Sequence, residues 1–547
     1  MEDLTFLQEN GLSLMVFLPL VGVAIMMLVP GKLEEAHKAL ALGFSLVTGL
    51  VGVLLMLPDN FDYDTGQGPK LTINQSWIDV VNVRYHLEMD GISLPLIALT
   101  LLVVPLVIIY SWNHIPEPGN AKAFLILIMV LHTGMLGSFV ARDLILFFVF
   151  FEVVLLPMYF MIGVWGGPDR LYASIKFFLY TLFGSALMLV SFLALYWLTG
   201  SSTFDMAQLA EEVAARDLSS RSQWLIFGGM FLGFGIKVPM FPFHTWLPDA
   251  HTQAPTQGSV ILAAVLLKLG TYGFIRIAIP ILPEAAVDWA PIIGALAVIG
   301  IIYGALGCLA QTDMKRLIAF SSVAHMGYVM LGIATLTTFG INAALFGMVA
   351  HGLITGMLFF VAGSIKHRYH TLEIKRLSGM LIQMPKMGWI LGFAAMASLG
   401  LPGLAGFWGE FPAILSAYSP HPSLNEALFR TLMVIAAIGT VLAAAYLLWL
   451  YQRTAFGEPT EEFAGQSDAE HDAAGHDGHG VAHSLSSAAN ADEHHDEIHD
   501  VQPTEWIAWT PFLIAIVVFG VYPQLMFKVL DPAVTELVKT ISAGIPQ

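Results

Sequence analysis

Residues 232–248 read LGFGIKVPMFPFHTWLP, and residues 397–414, ASLGLPGLAGFWGEFPAI, combine the same residue types. Each stretch places one ionisable side chain, Lys237 or Glu410, among glycines and prolines inside an apolar run. Proline removes a backbone hydrogen bond and glycine loosens a helix, so each stretch predicts an interrupted helix. Ordinary helix kinks are the alternative interpretation of this pattern.

The composition around these stretches is that of a membrane protein. The chain has 547 residues, of which 56% are hydrophobic and 12% are charged, and its mean hydropathy is +0.72. Soluble domains carry about 25% charged residues. Apolar runs of about 20 residues span a bilayer, and they predict an all-α polytopic protein with about fourteen transmembrane helices. The predicted spans are 12–29, 39–57, 91–110, 121–140, 143–165, 173–199, 223–243, 256–279, 288–310, 316–336, 341–365, 387–416, 430–451 and 505–527.

The two interrupted spans occupy matching places in the chain. Lys237 falls in the fourth of spans 4–8, and Glu410 falls in the fourth of spans 9–13. Interrupted helices at corresponding positions are typical of transporters built from inverted repeats, with the site at the break. We therefore expect two inverted five-helix repeats with helices 7 and 12 broken. The expected divisions are 1–120 for spans 1–3, 121–280 for the first repeat, 288–453 for the second repeat, 454–504 for an acidic loop, and 505–547 for span 14 and the tail.

Three segments between the spans have patterns of their own. Residues 58–90 alternate apolar and polar side chains around VVNVRYHLEMD, which predicts a short hairpin. Residues 203–217 predict a short amphipathic helix capped by Thr or Asp. Residues 457–504 hold twelve Asp or Glu and no Lys or Arg, which predicts a disordered, solvated tether, with a metal site as the alternative. The histidines behind that alternative are His471, His476, His479, His483, His494, His495 and His499.

Four ionisable residues lie inside predicted spans. Besides Lys237 and Glu410, they are Lys268 in GSVILAAVLLKLGTYGFI and Glu152 in LILFFVFFEVVLLPMYFMIG. A charge at the centre of a membrane helix costs roughly 2.5–3.5 kcal/mol. Two groups of each sign therefore predict a charge pathway through the membrane. Glu152 and Lys237 form a candidate pair in which the carboxylate loads and unloads the lysine; a static buried ion pair is the alternative.

Histidines add candidates for the same pathway. His325 and His351 lie in spans 10 and 11, and histidine titrates near neutrality, so both are candidate proton relays. Hydrogen-bonded core histidines are the alternative. The stretches HTWLPDAH (244–251) and QTDMKRLIAFSS (311–322) lie at span ends, where we expect ionisable side chains in or near water. Those side chains, structural or functional, are His244, Asp249, His251, Asp313, Lys315 and Arg316.

The sequence contains no evident residues for redox chemistry or for nucleotide binding. The chain has one cysteine, Cys308, whereas an iron–sulfur cluster takes four thiolates. It carries no GxGxxG after a strand, no Walker loop and no CxxC pair. We expect no cofactor and no metal in this chain.

The distribution of basic residues predicts an orientation. Thirteen Lys or Arg follow odd-numbered spans and nine follow even-numbered spans. The positive-inside rule then places both termini outside. The first apolar run is long enough to span, which favours a transmembrane helix over a cleavable signal peptide.

Taken together, these motifs resemble a known family, the antiporter-like subunits of respiratory complex I, the proton-pumping NADH:quinone oxidoreductase. The resemblance covers residues 85 to 455. It rests on FFEVVLLPMYFMIG, GIKVPMFPFHTWLPDAH, LLKLG, DMKRLIAFSSVAHMGY and GLPGLAGFWGEF. Two of the three large pumping subunits in that family carry lysine at the position of Glu410. The third carries glutamate, and this chain is most similar to the third.

The resemblance implies a role for each candidate residue. Glu152 would pair with and modulate Lys237, the central protonatable residue. Lys268 and His325 would form a polar bridge, and Glu410 would be the terminal residue. His351 matches the family's span-11 histidine.

The resemblance also implies a function and partners. The chain would move protons across the membrane, driven by quinone reduction elsewhere in the complex. FMN, iron–sulfur clusters and quinone would belong to other subunits. Its partners would be other membrane subunits, especially the antiporter-like chains L and N, together with membrane lipids and protons; no nucleic acid is expected. The implied location is a bacterial plasma membrane, with the mitochondrial inner membrane as the alternative.

Two other functions compete with this one. A subunit of a multisubunit Na⁺/H⁺ antiporter shares the fold, although glutamate at position 410 disfavours it. A passive membrane scaffold is the second, and the four intramembrane charges disfavour it.

Overall fold

Helices that can cross a membrane dominate the structure. The computed structural model describes residues 6–201, 203–216, 218–464 and 498–545. Within these ranges, eleven helices are long and apolar enough to span a bilayer. The other three predicted spans are one shorter apolar helix and the two interrupted helices. The predicted fold class is confirmed.

The first half of the chain contains the helices of predicted spans 1–8. Predicted span 8 also contains two π-helical segments, Leu262–Leu266 and Phe274–Ala278. The helices are α1 (Phe6–Leu28), α2 (Glu34–Leu55), α3 (Leu94–Tyr110), α4 (Ala121–Val140), α5 (Leu144–Val153), α6 (Leu155–Trp165), α7 (Arg170–Leu198), α8 (Met206–Ala215), α9 (Ser220–Lys237), α10 (Trp246–Gln253), α11 (Thr256–Ile261), α12 (Leu267–Gly273) and α13 (Ile279–Ile281).

The second half repeats this order of long and interrupted helices. Its helices are α14 (Pro283–Leu309), α15 (Met314–Ala334), α16 (Thr338–Tyr369), α17 (Met380–Gln383), α18 (Pro385–Ser398), α19 (Ala405–Ser416), α20 (Glu426–Ala455), α21 (Pro503–Val521) and α22 (Gln524–Ala543).

Both predicted interruptions are present. α9 ends at Lys237 and α10 begins at Trp246, after a turn of eight residues that contains Pro239 and Pro242. Trp246 Nε1 donates to the carbonyl of Ile236 at 2.9 Å, which ties the two half-helices together. The second break separates α18 from α19. There Gly400 and Gly403 have φ values of +79° and +94°, a conformation that side chains other than glycine rarely adopt.

Two matching pairs of backbone hydrogen bonds mark the inverted repeats. Before α5, Leu144 N donates to Phe204 O and Met206 N donates to Arg142 O, both at 2.9 Å. Before α15, Met314 N donates to Leu372 O at 2.9 Å and Ile374 N donates to Thr312 O at 2.8 Å. The first pair follows predicted span 4 and the second follows predicted span 9, an odd number of membrane crossings later, so the two pairs lie on opposite faces of the bundle. Arg142 and Thr312 thus occupy equivalent positions.

One face of the bundle, which we call the hairpin face, carries the predicted hairpin. Strands β1 (Gln67–Ile78) and β2 (Val83–Asp90) pair antiparallel, as predicted from residues 58–90. The predicted amphipathic helix is α8, whose first turn is capped by Asp205 accepting from Ala207 N and Gln208 N.

The sequence analysis missed a second amphipathic helix, α22, where it placed only a tail. α22 packs on the hairpin so closely that a Cβ at Gly91 would lie 2.2 Å from the Val529 carbonyl oxygen. Pro532 lies inside α22, and because a proline disfavours a helix interior, the sequence did not indicate a helix here.

The opposite face anchors both ends of the acidic segment. Residues 465–497, with six of its seven histidines, lie outside the described residues. On the described N-terminal side, Phe463 is buried against Tyr369, and Gln383 Nε2 donates to its carbonyl at 2.7 Å. On the C-terminal side, Arg368 donates to the carbonyls of His499 and Asp500. The expectation of a disordered tether is therefore wrong for these ends, because buried side chains hold them to the bundle.

Arg368 provides a test of this anchoring. Its guanidinium forms a bidentate ion pair with the fully buried carboxylate of Glu505, at 2.9 and 2.7 Å. Removing one partner of a buried pair leaves the other charge uncompensated, at a cost of about 3–5 kcal/mol. We expect Arg368→Met to lower the thermal unfolding midpoint of the detergent-solubilised protein strongly.

The matched control is Arg376→Met. Arg376 pairs with Glu462 at the surface, with both side chains nearly half exposed, so its removal costs about 0–1 kcal/mol. Equal shifts of the midpoint in both variants would contradict the assigned anchor.

Candidate functional site

Lys268 is the most deeply enclosed of the candidate residues. It lies on α12, between the two π-helical segments, and its side chain has no exposed surface. The π-helical turn before it leaves the carbonyl of Ala263 free to accept from Lys268 Nζ, at 2.5 Å. Lys268 Nζ also lies 2.8 Å from His351 Nδ1 on α16. π-helical turns occur frequently at functional sites, and this one aims the lysine at a histidine.

His351 continues from Lys268 towards the second repeat. Its Nε2 is buried and has no hydrogen-bond partner among the described residues. The ring lies 6.0 Å, centre to centre, from the ring of His325 on α15. A cavity of about 20 Å³ adjoins both rings and Glu410. That volume holds about one water molecule, which needs polar partners such as these.

His325 occupies the centre of a polar cluster. Its Nδ1 contacts Glu410 Oε1, and its Nε2 lies 3.1 Å from Ser398 Oγ and 3.3 Å from Tyr446 Oη. A hydroxyl can both donate and accept. The two hydroxyls therefore satisfy Nε2 whether or not that nitrogen carries a proton.

Glycines allow Glu410 to reach this cluster. A Cβ at Gly409 would lie 2.4 Å from the Cα of Gly347, so α19 and α16 are in backbone contact here. Gly409 precedes Glu410, and its lack of a side chain brings the carboxylate to the cavity wall. The second broken helix thus places the Glu410 carboxylate beside His325.

Lys237 ends the first broken half-helix and is 2% exposed. Its Nζ lies 4.8 Å above the centre of the Phe151 ring, a cation–π contact. Phe151 precedes Glu152 on α5. Within the described part of the chain, Glu152 and Lys237 form no ion pair within 4.0 Å, and the carboxylate lies on the side of Ser185 instead. The two charges are neighbours without direct contact.

The two lysines lie on helices in close contact. A Cβ at Gly270, two residues after Lys268, would lie 3.1 Å from Lys237 Cβ. The structure thus brings four of the six predicted residues into one line of contacts. That line runs from Lys268 through His351 and His325 to Glu410, with Lys237 and Glu152 beside its start.

The expectation of water around HTWLPDAH and QTDMKRLIAFSS is wrong for three residues. His251 has no exposed surface, and His244 and Lys315 are each 3% exposed. α10 and the turn before it belong to the second half of a broken span, so His251 and His244 remain inside the bundle. The signal in the sequence that could have indicated this burial is the set of apolar residues around HTWLPDAH. Asp249 and Arg316 do lie near the surface, where Asp249 pairs with Lys176 at 2.7 Å.

His251 stands out among these buried groups. Both of its ring nitrogens lack a hydrogen-bond partner in the described structure, and its ring stacks on Phe359 at 4.4 Å. Lys315 Nζ donates to the carbonyl of Ala254, the C-cap of α10. A cation at a helix C-terminus is favourable, which gives Lys315 a structural role.

Sequence reasoning also missed Ser398 and Tyr446. Both are small or uncharged residues in long apolar runs, so nothing in the sequence distinguishes them from packing residues. Only the contacts with His325 identify them.

Metal chemistry finds no support in the described part of the chain. No group of three or more His, Cys, Asp or Glu side chains there could hold a metal ion. The site consists of titratable groups that lie within hydrogen-bond reach of a neighbour or of a cavity large enough for one water molecule, an arrangement that can hold and pass protons.

Two family profiles match the chain. The family described as NADH:quinone oxidoreductase/Mrp antiporter matches residues 141–442. The family described as the amino terminus of NADH-ubiquinone oxidoreductase chain 4 matches residues 70–137. The two matches together cover most of both repeats and most of the hairpin that precedes them.

Curated relatives match nearly end to end. A protein named NADH-quinone oxidoreductase subunit M from Rhodobacter capsulatus is 39% identical, over 98% of each chain. A protein named NAD(P)H-quinone oxidoreductase chain 4 from a Picosynechococcus strain is 36% identical, over 99% of this chain and 94% of its own.

Solved structures share the fold. A chain of respiratory complex I from Thermus thermophilus, solved with bound NADH, superposes with a TM-score of 0.79 at 29% identity, covering 97% of this chain and 99% of that one. A chain of the Mrp complex from a Dietzia strain superposes with a TM-score of 0.78 at 20% identity, covering 99% and 100%. At that identity the second likeness concerns the fold alone.

Proposed function

Because this chain belongs to the NADH:quinone oxidoreductase/Mrp antiporter family, we propose that it is a proton-translocating membrane subunit of an NADH:quinone oxidoreductase of the complex I type. One observation carries the proposal. Lys268, His351, His325 and Glu410 form a line of buried or largely buried titratable groups that joins the two repeats, with a cavity for one water molecule at the step from His351 to His325.

Each group in the line can hold a proton and give it up. A protonated Lys268 passes a proton to His351 Nδ1 across 2.8 Å. The proton leaves His351 from Nε2, through a water molecule in the adjoining cavity, to His325. His325 then passes it from Nδ1 to Glu410, while Ser398 and Tyr446 reorient their hydroxyls at Nε2. This chain carries out proton transfer without redox chemistry of its own.

Lys237 and Glu152 form the control element of this pathway. Their separation in the structure, with the ammonium over the Phe151 ring, is the open state of the pair. Closing the pair draws positive charge away from α12, and opening it returns that charge. Lys237 Cβ lies against Gly270, two residues after Lys268, so in this proposal the change of charge is felt by the helix that carries Lys268. Quinone reduction elsewhere in the complex supplies the energy for the change.

A neighbouring subunit covers the second break. α18 has 14 residues and is about 21 Å long, so the break after it lies within a hydrocarbon layer about 30 Å thick. Leu401, Pro402 and Gly403 are exposed there, and irregular backbone does not face lipid. Another antiporter-like chain of the complex, of type L or N, would cover it, beside Glu410.

The remaining assignments follow from the same family membership. The hairpin face is the outer face and the face of the acidic segment is the inner one, in accordance with the distribution of Lys and Arg. The chain lies in a bacterial plasma membrane. FMN, iron–sulfur clusters and quinone are held by other subunits. The Mrp-type antiporter is less well supported, because the near full-length relatives described above carry NADH- or NAD(P)H-quinone oxidoreductase names.

The variant Lys268→Arg tests whether residue 268 must release a proton or only carry a positive charge. Arginine retains the positive charge but does not release its proton. We expect the assembled complex with this variant to show a severe loss of NADH-driven proton uptake in inverted membrane vesicles. Lys176→Arg, which preserves a surface pair with Asp249, serves as the control and is expected to pump normally. Normal uptake with Lys268→Arg would contradict the proposed line.

The hydroxyls at His325 provide a second test. Ser398→Ala and Tyr446→Phe each leave one hydroxyl at Nε2, whereas the double variant leaves none, at a cost of about 1–3 kcal/mol for the unsatisfied nitrogen. We expect the single variants to keep most of the protons moved per NADH oxidised, and the double variant to lose most of them. A purely structural role would instead lower assembly and leave that ratio unchanged.

A further inference from the structure

A large cavity opens on the hairpin face above α12. Its volume is about 1100 Å³, and its walls come from the hairpin, α8 and α22. Polar side chains line it, among them His86, Glu88, Asp205, Arg142 and Arg276. A cavity of this size and polarity is filled by water. It would give protons a short route from the hairpin face into the bundle unless something closes it.

Arg276 and Asp90 form the floor of this cavity. Arg276 Nη2 donates to both carboxylate oxygens of Asp90, at 2.7 and 2.6 Å. Arg142 Nη2 donates to Asp90 at 2.9 Å and to Glu88 at 2.6 Å. Although burial alone would raise the pKa of the Asp90 carboxyl, the two guanidinium groups hold that pKa well below its usual range. The floor is a permanently charged network.

Below the floor lies a sealed layer. Arg276 Nε donates to Tyr272 Oη at 3.2 Å, and Tyr272 Oη donates to the carbonyl of Phe139 at 2.8 Å. Tyr272 is fully buried, and its ring meets the Phe139 ring edge to face at 5.3 Å. Lys268 lies eight residues before Arg276 on the same span, about 12 Å further in, and does not line the cavity.

The direction of these hydrogen bonds determines what can pass. A hydrogen-bonded chain conducts a proton only if each member can accept a proton on one side and donate on the other. A guanidinium has five donors and no acceptor, and it does not lose its proton. Arg276 donates both to Asp90 and to Tyr272, so it interrupts any chain between the cavity water and Tyr272. Pores that exclude protons use an arginine in a similar way.

The opposite face has a different residue at the position equivalent to Arg142. That residue is Thr312, as the matched backbone hydrogen bonds show. The two ends of the molecule therefore differ in charge at a point where the backbone is the same.

We propose that Arg276, held by Asp90, is a proton seal that separates the water-filled cavity of the hairpin face from Lys268. The seal rests on the proposed function, since it matters only if Lys268 carries protons. In this role Arg276 lies outside the line of transfer residues and does not itself carry protons. Losing the seal opens a leak and leaves redox turnover intact.

Arg276→Gln tests the seal because glutamine supplies an acceptor oxygen and admits water. The assembled complex is reconstituted in liposomes, a pH gradient is imposed without NADH, and its decay is followed with a fluorescent dye. We expect the decay to be several-fold faster with Arg276→Gln than with the wild-type complex. Adding Lys268→Met to Arg276→Gln should restore the slow decay, since the leak passes through Lys268.

Arg142→Gln is the matched control. It removes a guanidinium from the same floor but leaves the contacts of Arg276 with Asp90 and Tyr272 intact, so we expect no leak. Equal leaks in both variants, or an assembled Arg276→Gln complex with no leak, would overturn the proposal. If Arg276→Gln does not assemble, Arg276→His also supplies an acceptor and is judged by the same criterion. Failure of the proposed function would be recognised separately, by normal pumping of Lys268→Arg.

Discussion

Hydrocarbon offers no hydrogen bonds, so the charged side chains inside this bundle depend on partners within the protein. This constraint accounts for the arrangement of the site. Lys268 is satisfied by a carbonyl that a π-helical turn frees and by a histidine on the facing helix. Glu410 is satisfied by His325, whose other nitrogen has two hydroxyls. Because every side-chain partner is itself titratable or able to reverse its hydrogen bond, the same contacts that satisfy the charges support the proposed path for protons.

The inverted repeats supply the positions at which this happens. Each repeat interrupts its fourth helix, and each interruption frees backbone groups and exposes one ionisable residue to the interior. The ends of the molecule, by contrast, are specialised. The hairpin face has a charged floor of arginine and carboxylate side chains, and the opposite face anchors the acidic segment through Arg368 and Glu505. In the proposed function, the repeated middle of the bundle transfers protons, and the two different faces control the access of protons to it.

The sequence predicted the spans, both breaks, the hairpin and α8, because hydrophobic periodicity and turn residues are local signals. The sequence also pointed to the six candidate residues, because an ionisable side chain is easily recognised within an apolar run. It did not identify Ser398, Tyr446 or the Arg276–Asp90 pair, whose partners come from distant parts of the chain. It misjudged His244 and His251 because their span is broken, and Lys315 because its ammonium reaches the buried C-terminal carbonyl of α10. α22 was missed because Pro532, which disfavours a helix interior, lies within it.

The central claim is that Lys237 controls a proton pathway coupled to redox chemistry. The most direct measurement follows NADH-driven proton uptake and NADH:quinone turnover together in inverted vesicles carrying Lys237→Ala, after assembly of the complex has been confirmed. The account predicts that both fall sharply, because turnover cannot proceed when the coupled proton step is blocked. Normal uptake and normal turnover in the assembled complex would contradict it.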